Sequence, residues 1–400
     1  MITTLLEIQN TLLLGFKGRK HYSRALYNKI NLNNRFVGLV GARGVGKTTY
    51  LLQLVQNNEA SLYVSADNVF FLEHSLLELV DTLYKETDIR TLCIDEIHKY
   101  PNWNQELKNI YDTYLEFKLI FTGSSAIDLA RSKYDLSRRV VLYSFYGFSF
   151  REYLAFNDIA KIDTVTLNNI LEKPQELLGE ISLINPIRLF KDYLRFGYYP
   201  FSNDFSQRVD FYQAIRNIHQ KSIYEDIGTA HQLKTGTLLV LEKLFKYVVN
   251  SVPGELSVYK VASTLGKDFK SISEYVRYLE EAGLLRCLRS SQAGKGQLKN
   301  PEKLLPGNPN MVYAELIKES ADILGNIRES FVLSHLQNAG LAVFYQKTGD
   351  FYVEGKTLEI GGKNKTRRQI KGVEDAYVLS DDTVTAFKNT LPLWLLGFLY

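Results

Sequence analysis

The first 150 residues contain several short apolar runs and, after the first of them, a segment of helical periodicity. Strands covered on both faces carry apolar side chains at consecutive positions. Such runs predict buried strands at residues 36–40, 91–95, 117–122 and 136–143. Residues 47–56 instead place Tyr50, Leu51 and Leu54 at helical spacing, which predicts a helix directly after the first strand.

The middle of the chain is dominated by helical periodicity. Ser149 and Glu152 have the spacing of a capping box, which predicts a helix beginning there and a helical region up to about residue 236. Residues 258–265 then form a short amphipathic pattern that Gly266 ends.

A second capping box, at Ser271 and Glu274, predicts the start of the next helix. Two short helices across a tight turn predict a helix-turn-helix, with the glycine-containing residues 283–296 as a wing.

The last hundred residues change to strand-like alternation. A helix is predicted at about residues 326–338, before short strands. These strands are predicted at residues 341–347, 351–354 and 357–360.

Composition narrows the class of protein. A chain of 400 residues with 45% apolar and 23% charged residues predicts several folded domains and excludes a disordered or collagen-like protein. No run approaches the roughly 20 apolar residues of a membrane span, and the first residues lack the basic start of a signal peptide. These features predict a cytoplasmic protein. Two cysteines, Cys93 and Cys287, exclude a disulfide framework.

Positive charge is concentrated in two places. Residues 257–303 hold nine Lys/Arg and five Asp/Glu, and residues 363–371 hold five basic residues and no acid. The rest of the chain therefore has a net charge of −5, although the total is +4. Such patches indicate contact with a polyanion, and DNA is the expected partner; solvated basic surface and a protein-binding winged helix are the alternatives. The basic residues expected near DNA in the first region are Lys267, Lys270, Arg277, Arg286, Arg289, Lys295 and Lys299.

Residues 41–48 fit the phosphate-loop pattern G-x-x-x-x-G-K-[ST] without deviation. Glycines let backbone N–H groups close around phosphate oxygens at a helix N-terminus, where the helix dipole favours anions. Lys47 is expected to reach the β- and γ-phosphates, and Thr48 to bind Mg²⁺. The predicted nucleotide-binding residues are Gly41, Ala42, Arg43, Gly44, Val45, Gly46, Lys47, Thr48 and Thr49.

Two acids end the strand at residues 91–95. Asp95 is expected to bind Mg²⁺, and Glu96 to orient or deprotonate the attacking water. Ser124, after the next strand, is expected to sense the γ-phosphate or hold that water; a simple helix-capping turn is the alternative. Arg138 and Arg139 lie near the start of the fourth predicted strand, and either a phosphate contact or a solvated charge fits them.

Several segments together resemble one family. Besides the phosphate loop they are DEIHKYPNW at residues 95–103, TGSS at 122–125, FSFREY at 148–153 and YLRFGYYP at 193–200. They are similar to the prokaryotic AAA+-type ATPases, in the branch with a C-terminal restriction-endonuclease-like domain. The resemblance runs over most of the chain.

The resemblance implies an α/β fold with a P-loop NTPase parallel sheet of the AAA+/RecA-like type. It also implies a helical lid, a winged helix and a C-terminal α/β endonuclease-like domain, with ATP as the nucleotide. Asp95 and Glu96 match the Walker B acids, Ser124 falls in the first sensor, and Arg139 matches a family arginine that serves as a finger. The family usually has Gly-Arg where this chain has Arg138-Arg139, so either arginine remains a candidate.

The expected domains follow the chain in order. They are an N-terminal helical segment (1–34), the P-loop ATPase core (35–148), the lid (149–236), the winged helix (237–303) and the endonuclease-like domain (304–400).

Endonuclease-like domains hold a metal between an Asp and a Glu on adjacent strands, with a nearby lysine. Asp350 and Glu359 match these acids, and Glu329 matches an acid on the preceding helix. The lysine departs from the usual E-x-K, because the sequence continues Glu-Ile-Gly-Gly to Lys363. Lys363 reaches the site only if the backbone bulges, so the domain is expected to be nuclease-like in fold with nuclease activity disfavoured.

The sequence therefore predicts an ATP- and Mg²⁺-dependent ATPase that couples its nucleotide state to domain movement, acts with DNA and assembles as a homo-oligomer. A slowly hydrolysing ATP-gated binding switch is the first alternative, and an ATP-governed metal nuclease is the second. Neither an H-E-x-x-H zinc motif nor a G-x-S-x-G serine elbow is present.

Overall fold

The computed structural model divides into two compact units, residues 1–146 and 147–400. It describes residues 2–18, 20, 22–123, 136, 138–181, 185–252, 256–291, 300–316, 321–363 and 365–400. In this described part, no helix is long and apolar enough to cross a membrane. The finer division into five domains remains a prediction.

The first unit is built on a parallel five-stranded sheet with the order β2-β3-β4-β1-β5. Its strands are β1 (Phe36–Val40), β2 (Ser61–Ser65), β3 (Thr91–Asp95), β4 (Lys118–Gly123) and β5 (Val140–Ser144). All five residues of β1 are buried, as its unbroken apolar sequence predicts. The predicted α/β fold with a parallel sheet is thereby confirmed for this unit.

Helices pack on this sheet because each offers it an apolar face. They are α1 (Ile2–Lys17), α2 (Lys47–Gln56), α3 (Leu76–Glu86) and α4 (Trp103–Thr113). α2 begins and ends where the periodicity predicts, and it buries Tyr50 and Leu51. α1 is tied to the edge strand β2 because Gln9 accepts a hydrogen bond from the Tyr63 backbone N–H at 2.7 Å.

The parallel order brings the carboxyl ends of β1, β3 and β4 to one edge of the sheet. The loop before α2 follows β1, and Asp95 ends β3. Thr122 lies near the end of β4. The candidate chemistry of this unit therefore lies at a single edge, where ligands of open parallel sheets bind.

The second unit contains helical segments and two sheets. The helices are α5 (Phe150–Phe156), α6 (Leu167–Glu172), α7 (Pro174–Glu180), α8 (Pro186–Asp192), α9 (Arg208–Lys221), α10 (Gly228–Ala230), α11 (Thr235–Val249), α12 (Val258–Leu265), α13 (Phe269–Glu281), α14 (Pro309–Glu315) and α15 (Ala321–Asn338). The capping box of Ser149 and Glu152 at the start of α5 is confirmed. Gly266 ends α12 in the left-handed conformation, with φ of 60°.

The predicted capping box at Ser271 is wrong. α13 begins earlier, and its N-cap is Asp268, whose side chain accepts a hydrogen bond from the Ser271 N–H at 2.9 Å. The Ser271 hydroxyl donates to the same carboxylate at 2.6 Å. An aspartate three residues upstream therefore caps the helix and places Ser271 inside its first turn.

Two sheets follow α13. An antiparallel ribbon pairs β6 (Leu285–Leu288) with β7 (Lys303–Pro306). The last strands are β8 (Val343–Phe344), β9 (Phe351–Val353), β10 (Lys356–Gly361), β11 (Ala376–Ser380) and β12 (Thr390–Pro392). They form a mixed sheet in reverse chain order, antiparallel from β8 to β10 and parallel from β10 to β12.

His335 on α15 lies within the aromatic core of the second unit. Its Nδ1 lies 2.9 Å from the carbonyl oxygen of Phe331, and its Nε2 lies 3.2 Å from the hydroxyl of Tyr193. Burial lowers the pKa of His335 to about 3. The folded unit therefore holds this imidazole neutral, whereas the unfolded chain protonates it near its usual pKa.

We expect the second unit to lose stability as the pH falls below about 6.5, because between there and about pH 3 only the unfolded state binds the His335 proton. Acidification from about pH 7.5 to about pH 5 removes on the order of 2 kcal/mol through this group. His335→Gln reduces that loss. Urea unfolding followed by Trp394 fluorescence in a Trp103→Phe background measures it. The partly exposed His74→Gln serves as the control and retains the wild-type dependence; an unchanged dependence in His335→Gln contradicts the prediction.

Candidate nucleotide site

The loop between β1 and α2 depends on glycine for its shape. A Cβ on Gly41 would lie 2.1 Å from the carbonyl oxygen of Phe145, the residue after β5, so the chain there approaches the loop too closely for any side chain. Gly46 is the N-cap of α2 with φ of 98°, a conformation that glycine adopts without strain. The loop therefore opens directly onto the N-terminus of a ten-residue helix, which favours anions.

Lys47 spans this loop. Its Nζ donates to the carbonyl oxygens of Gly41 and Ala42 at 2.7 and 2.9 Å. The ammonium is thus held across the mouth of the loop, with its charge beside the helix N-terminus. This is where phosphate oxygens bind in a phosphate loop.

Asp95 is the centre of the hydrogen-bond network at the sheet edge. Its Oδ2 accepts from the Thr48 hydroxyl at 2.6 Å and from the Tyr63 hydroxyl at 3.1 Å. Its Oδ1 accepts from the Thr122 hydroxyl. Asp95 is only 5% exposed, so these hydroxyl groups replace the water that the charge of its carboxylate would otherwise bind.

Tyr63 is a residue that the sequence does not reveal. Burial, followed by the negative charge of Asp95, raises the pKa of Tyr63 well above its usual value, so its hydroxyl stays protonated and donates. It lies on β2, two positions before Ser65, which pairs with Asp95. Only the strand pairing brings it to the acid.

Glu96 has a strained backbone, with φ of 52°. Its N–H donates to the Thr122 hydroxyl at 2.9 Å, and its Oε1 lies 3.1 Å from Nη1 of Arg43. Thr122 thus contacts both acids. Ser124, the residue predicted to sense phosphate, lies outside the described residues.

Arg139 lies at the opposite edge of the sheet from the loop. It precedes Val140, which pairs with Phe36 at the start of β1, whereas the loop follows the end of β1. Its guanidinium contacts Asp112 through Nε at 3.0 Å and Nη2 at 3.1 Å. The length of β1, about 13 Å, therefore separates Arg139 from the loop of its own chain, and the role of Arg139 as a finger remains a prediction.

Arg24 supports the loop from below and was not identified from the sequence. It is 2% exposed, and its Nη1 donates to the carbonyl oxygens of Val45 and Tyr146 at 3.2 and 2.7 Å. It therefore links the loop to the segment after β5. A buried arginine bonded to backbone carbonyls leaves no local signal in the sequence, since its partners are distant.

The acids of the predicted nuclease-like site lie close to one another, but each of them contacts a lysine. Glu329 on α15 and Asp350 before β9 both contact the Lys303 ammonium, Asp350 at 3.5 Å. Glu359 on β10 contacts the ammonium of Lys365. Burial, partly offset by Lys303, raises the pKa of Glu329 to about 7. Burial also raises the pKa of Glu359.

Lys363 is not the lysine of this cluster. Its side chain is exposed, whereas Lys365 turns back towards β10. A Cβ on Gly361 would lie within 2.5 Å of the Lys365 side chain, so glycine is what allows this return. The chain makes a tight turn after β10 instead of the bulge that Lys363 required.

This cluster does not fit the metal that the family resemblance implies. The ammonium groups of Lys303 and Lys365 occupy the space beside the three carboxylates. Among the described side chains, no three His, Cys, Asp or Glu residues are grouped so that they hold a metal ion. The cluster binds its own lysines, which gives no support to metal-dependent cleavage.

Much of the positive charge that was predicted to contact DNA makes contacts within the chain instead. Arg286 donates to Gly307, Gln337 and Asn338 at 2.8 to 2.9 Å. Arg289 forms a two-point contact with Glu280 at 2.9 and 2.6 Å. Lys295 and Lys299 lie outside the described residues. Arg277 is exposed but lies 3.8 Å from both Glu274 and Glu281, and exposed lysines and arginines also remain at Lys267, Lys270, Lys363, Arg368 and Lys371.

We expect Lys303→Ala to destabilise the second unit by about 3 to 5 kcal/mol, because it leaves Glu329 and Asp350 without their buried cation. Lys363→Ala, which removes an exposed lysine, should change stability by no more than about 0.5 kcal/mol. Urea unfolding followed by Trp394 fluorescence in a Trp103→Phe background compares them. Equal stability of the two variants contradicts the assignment of the cluster.

Comparison with known proteins identifies two regions. Residues 33–154 match the family model of an AAA domain, and residues 187–315 match that of a domain of unknown function (DUF8612). No curated protein matches the chain.

The chain is also similar to several solved structures. One is the Thermotoga maritima RuvB Holliday junction branch migration motor, at 15% identity over 70% of this chain and 89% of that chain, with a TM-score of 0.30. Another is a Pyrococcus horikoshii signal transduction ATPase with numerous domains, at 12% identity over 80% and 45%, with a TM-score of 0.30. A third is the S. cerevisiae Hsp104–ADP complex, at 14% identity over 67% and 40%, with a TM-score of 0.33.

The phosphate loop, the two acids at the end of β3 and the strand order agree with the family match. The chain therefore carries an AAA domain of the P-loop ATPase type at residues 33–154, and a domain of unknown function at residues 187–315.

Proposed function

We propose that this protein is a Mg²⁺-dependent ATPase whose nucleotide site is the carboxyl edge of the five-stranded sheet. The observation that carries the proposal is the 2.6 Å contact between the Thr48 hydroxyl and the Asp95 carboxylate, made beside the Lys47 ammonium and Glu96. A phosphate cradle, a metal-binding pair and a general base are thereby available at one place.

The loop and α2 bind the phosphates of ATP. Backbone N–H groups of the loop and the N-terminus of α2 bind the anion, and Lys47 neutralises the charge of its β- and γ-phosphates. Arg24 holds the Val45 carbonyl, which keeps the loop in place. The loop is thus pre-organised for the nucleotide, which lowers the entropic cost of binding.

Thr48 and Asp95 would hold Mg²⁺. Both offer oxygen ligands, which Mg²⁺ prefers, and Tyr63 and Thr122 orient the carboxylate from its other sides. When bound, the metal supplies charge neutralisation to the phosphates.

Glu96 takes a proton from the attacking water in this proposal. The water oxygen bonds to the γ-phosphorus, the bond from that phosphorus to the β,γ-bridging oxygen breaks, and the products are ADP and phosphate. The left-handed backbone of Glu96 and the hydrogen bond from its N–H to the Thr122 hydroxyl fix the position from which the carboxylate extends.

Arg139 serves as a finger only from a second copy of the chain. Its place at the amino edge of the sheet, paired with Asp112, supports a role towards a neighbouring subunit rather than its own loop. This part of the proposal requires the homo-oligomer that the sequence predicts. A chain that binds ATP but turns it over slowly when alone corresponds to the binding-switch alternative.

We expect Lys47→Ala to lower ATP turnover by at least about 10²-fold, because a charge that stabilises the transferred phosphoryl group is lost. Phosphate release with Mg²⁺ and with chelator measures turnover. The exposed Lys85→Ala is the control and should match wild type. Turnover in Lys47→Ala equal to wild type contradicts the proposal, whereas tight ATP binding with negligible wild-type turnover favours the switch.

DNA binding through the helix-turn-helix of α12 and α13 is a second candidate function. Two helices followed by an antiparallel ribbon support a winged-helix arrangement, and Lys267, Lys270 and Arg277 keep exposed basic side chains there. The contacts of Arg286 and Arg289 within the chain leave this surface smaller than its sequence suggests.

We expect DNA affinity to fall with salt at a logarithmic slope of about −3, as three phosphate contacts predict. Lys267→Ala combined with Lys270→Ala should reduce that slope by about 2 units. Fluorescence anisotropy with a labelled duplex measures both. If the variant Lys363→Ala, Arg368→Ala and Lys371→Ala changes the slope instead, the second basic patch carries the binding. Absence of salt-dependent binding excludes both surfaces.

A further inference from the structure

Arg43 forms an ion pair with the proposed general base. Its Nη1 lies 3.1 Å from Glu96 Oε1, and the two side chains are 14% and 29% exposed. Arg43 belongs to the phosphate loop, whereas Glu96 follows β3, so the contact joins the two halves of the site. Because both groups are largely shielded, solvent and salt weaken their attraction less than at the surface.

This contact fixes the position of two groups that hydrolysis needs. The backbone N–H of Glu96 is bonded to Thr122, so its carboxylate extends from a held backbone. Arg43 lies between Gly41 and Gly44, the latter with φ of 79°, in the loop that fits the phosphate-loop pattern. A guanidinium on this loop is therefore within the region that the phosphates of a nucleotide enter.

Glu96 and a γ-phosphate compete for the same guanidinium. A guanidinium binds a phosphate through paired N–H donors, and the phosphate carries more negative charge than one carboxylate. A bound γ-phosphate therefore draws Arg43 from Glu96, and the carboxylate is released to contact the attacking water. ADP has no γ-phosphate and leaves the ion pair in place.

The other arginines of this unit with described contacts are committed elsewhere. Arg139 is paired with Asp112 at the far edge of the sheet, and Arg24 binds backbone carbonyl groups. Arg43 is the arginine whose described contact is with a residue of the proposed catalytic machinery.

We propose that Arg43 is a catalytic residue that acts within its own chain: it binds the γ-phosphate of ATP and, by leaving Glu96, frees the general base. The proposal rests on the ATPase function proposed above. During hydrolysis the water proton passes to Glu96, the γ-phosphorus bonds to the water oxygen and separates from ADP, and Arg43 stabilises the charge on the γ-phosphoryl oxygens. Hydrolysis then begins only when a γ-phosphate is bound.

Nucleotide affinity tests the contact without turnover. We expect Arg43→Ala to weaken binding of the slowly hydrolysed analogue adenylyl imidodiphosphate at least about tenfold and to leave ADP affinity within about twofold, because only the analogue offers a γ-phosphoryl group. Calorimetry with Mg²⁺ measures both. Arg43→Lys should give an intermediate loss, since it keeps the charge without the planar fork. Equal losses for the two nucleotides overturn the proposal, because Arg43 then only shapes the loop.

Turnover and subunit mixing test the catalytic role. We expect Arg43→Ala to lower turnover at least about 10²-fold, as for arginines that contact a transferred phosphoryl group. Mixing Arg43→Ala chains with Lys47→Ala chains should not restore turnover, because no chain in the mixture has both Arg43 and Lys47. Restored activity overturns action within one chain, and unchanged turnover in Arg43→Ala overturns catalysis.

Two controls keep these outcomes separate. Arg43→Met retains the length of the side chain and should behave like Arg43→Ala if the charge is what matters; thermal melting confirms that each variant is folded. Wild type that neither binds ATP nor hydrolyses it defeats the ATPase function itself. Wild type that hydrolyses ATP as fast as Arg43→Met defeats only the role of Arg43.

Discussion

The buried Asp95 carboxylate is the interaction on which the nucleotide site depends. Its hydroxyl donors come from three different elements, with Thr48 on α2, Tyr63 on β2 and Thr122 on β4. A buried charge is tolerated only when hydrogen bonds satisfy it, so these elements must meet in one register. The strand order of the first unit is thus tied to the geometry of one acid.

Both units bury acids, but they use them differently. At the sheet edge of the first unit, hydroxyl groups orient Asp95 while Thr48 and Asp95 together still suit a cation. In the second unit, Lys303 neutralises Glu329 and Asp350 from within the chain. Acids that are oriented but not neutralised suit the binding of a cation, whereas acids neutralised by buried lysines suit stability.

The elements next to the phosphate loop could be predicted because their signals are local. The limits of β1, α2 and β3 follow from contiguous residues, and the loop at 41–48 is a continuous pattern. Tyr63 and Arg24 could not be predicted, because strand pairing or distant carbonyl groups bring them to the site.

Errors in the second unit have the same origin. The sequence placed Lys363 at the acids only if the backbone bulges, but a glycine turn returns Lys365 to Glu359 instead. Charge counting assigned Arg286 and Arg289 to a partner, although each finds acceptors in the folded chain. Ser271 has the spacing of a capping box, but Asp268 competes better for the helix N-terminus. Each of these differences depends on a contact with a residue that is not part of the sequence pattern used for the prediction.

Lys303 has a consequence for how the second unit unfolds. It begins β7 of the ribbon, yet its ammonium is buried against acids from α15 and the segment before β9. A domain boundary between residues 303 and 304 would therefore cut through a buried contact. It would place the Lys303 ammonium in one domain and the carboxylates of Glu329 and Asp350 in the next. Opening the ribbon alone takes the Lys303 cation away from Glu329, and opening the last sheet alone takes Asp350 away from Lys303. The cluster thus couples the two parts, and we expect them to melt in a single cooperative transition rather than one after the other.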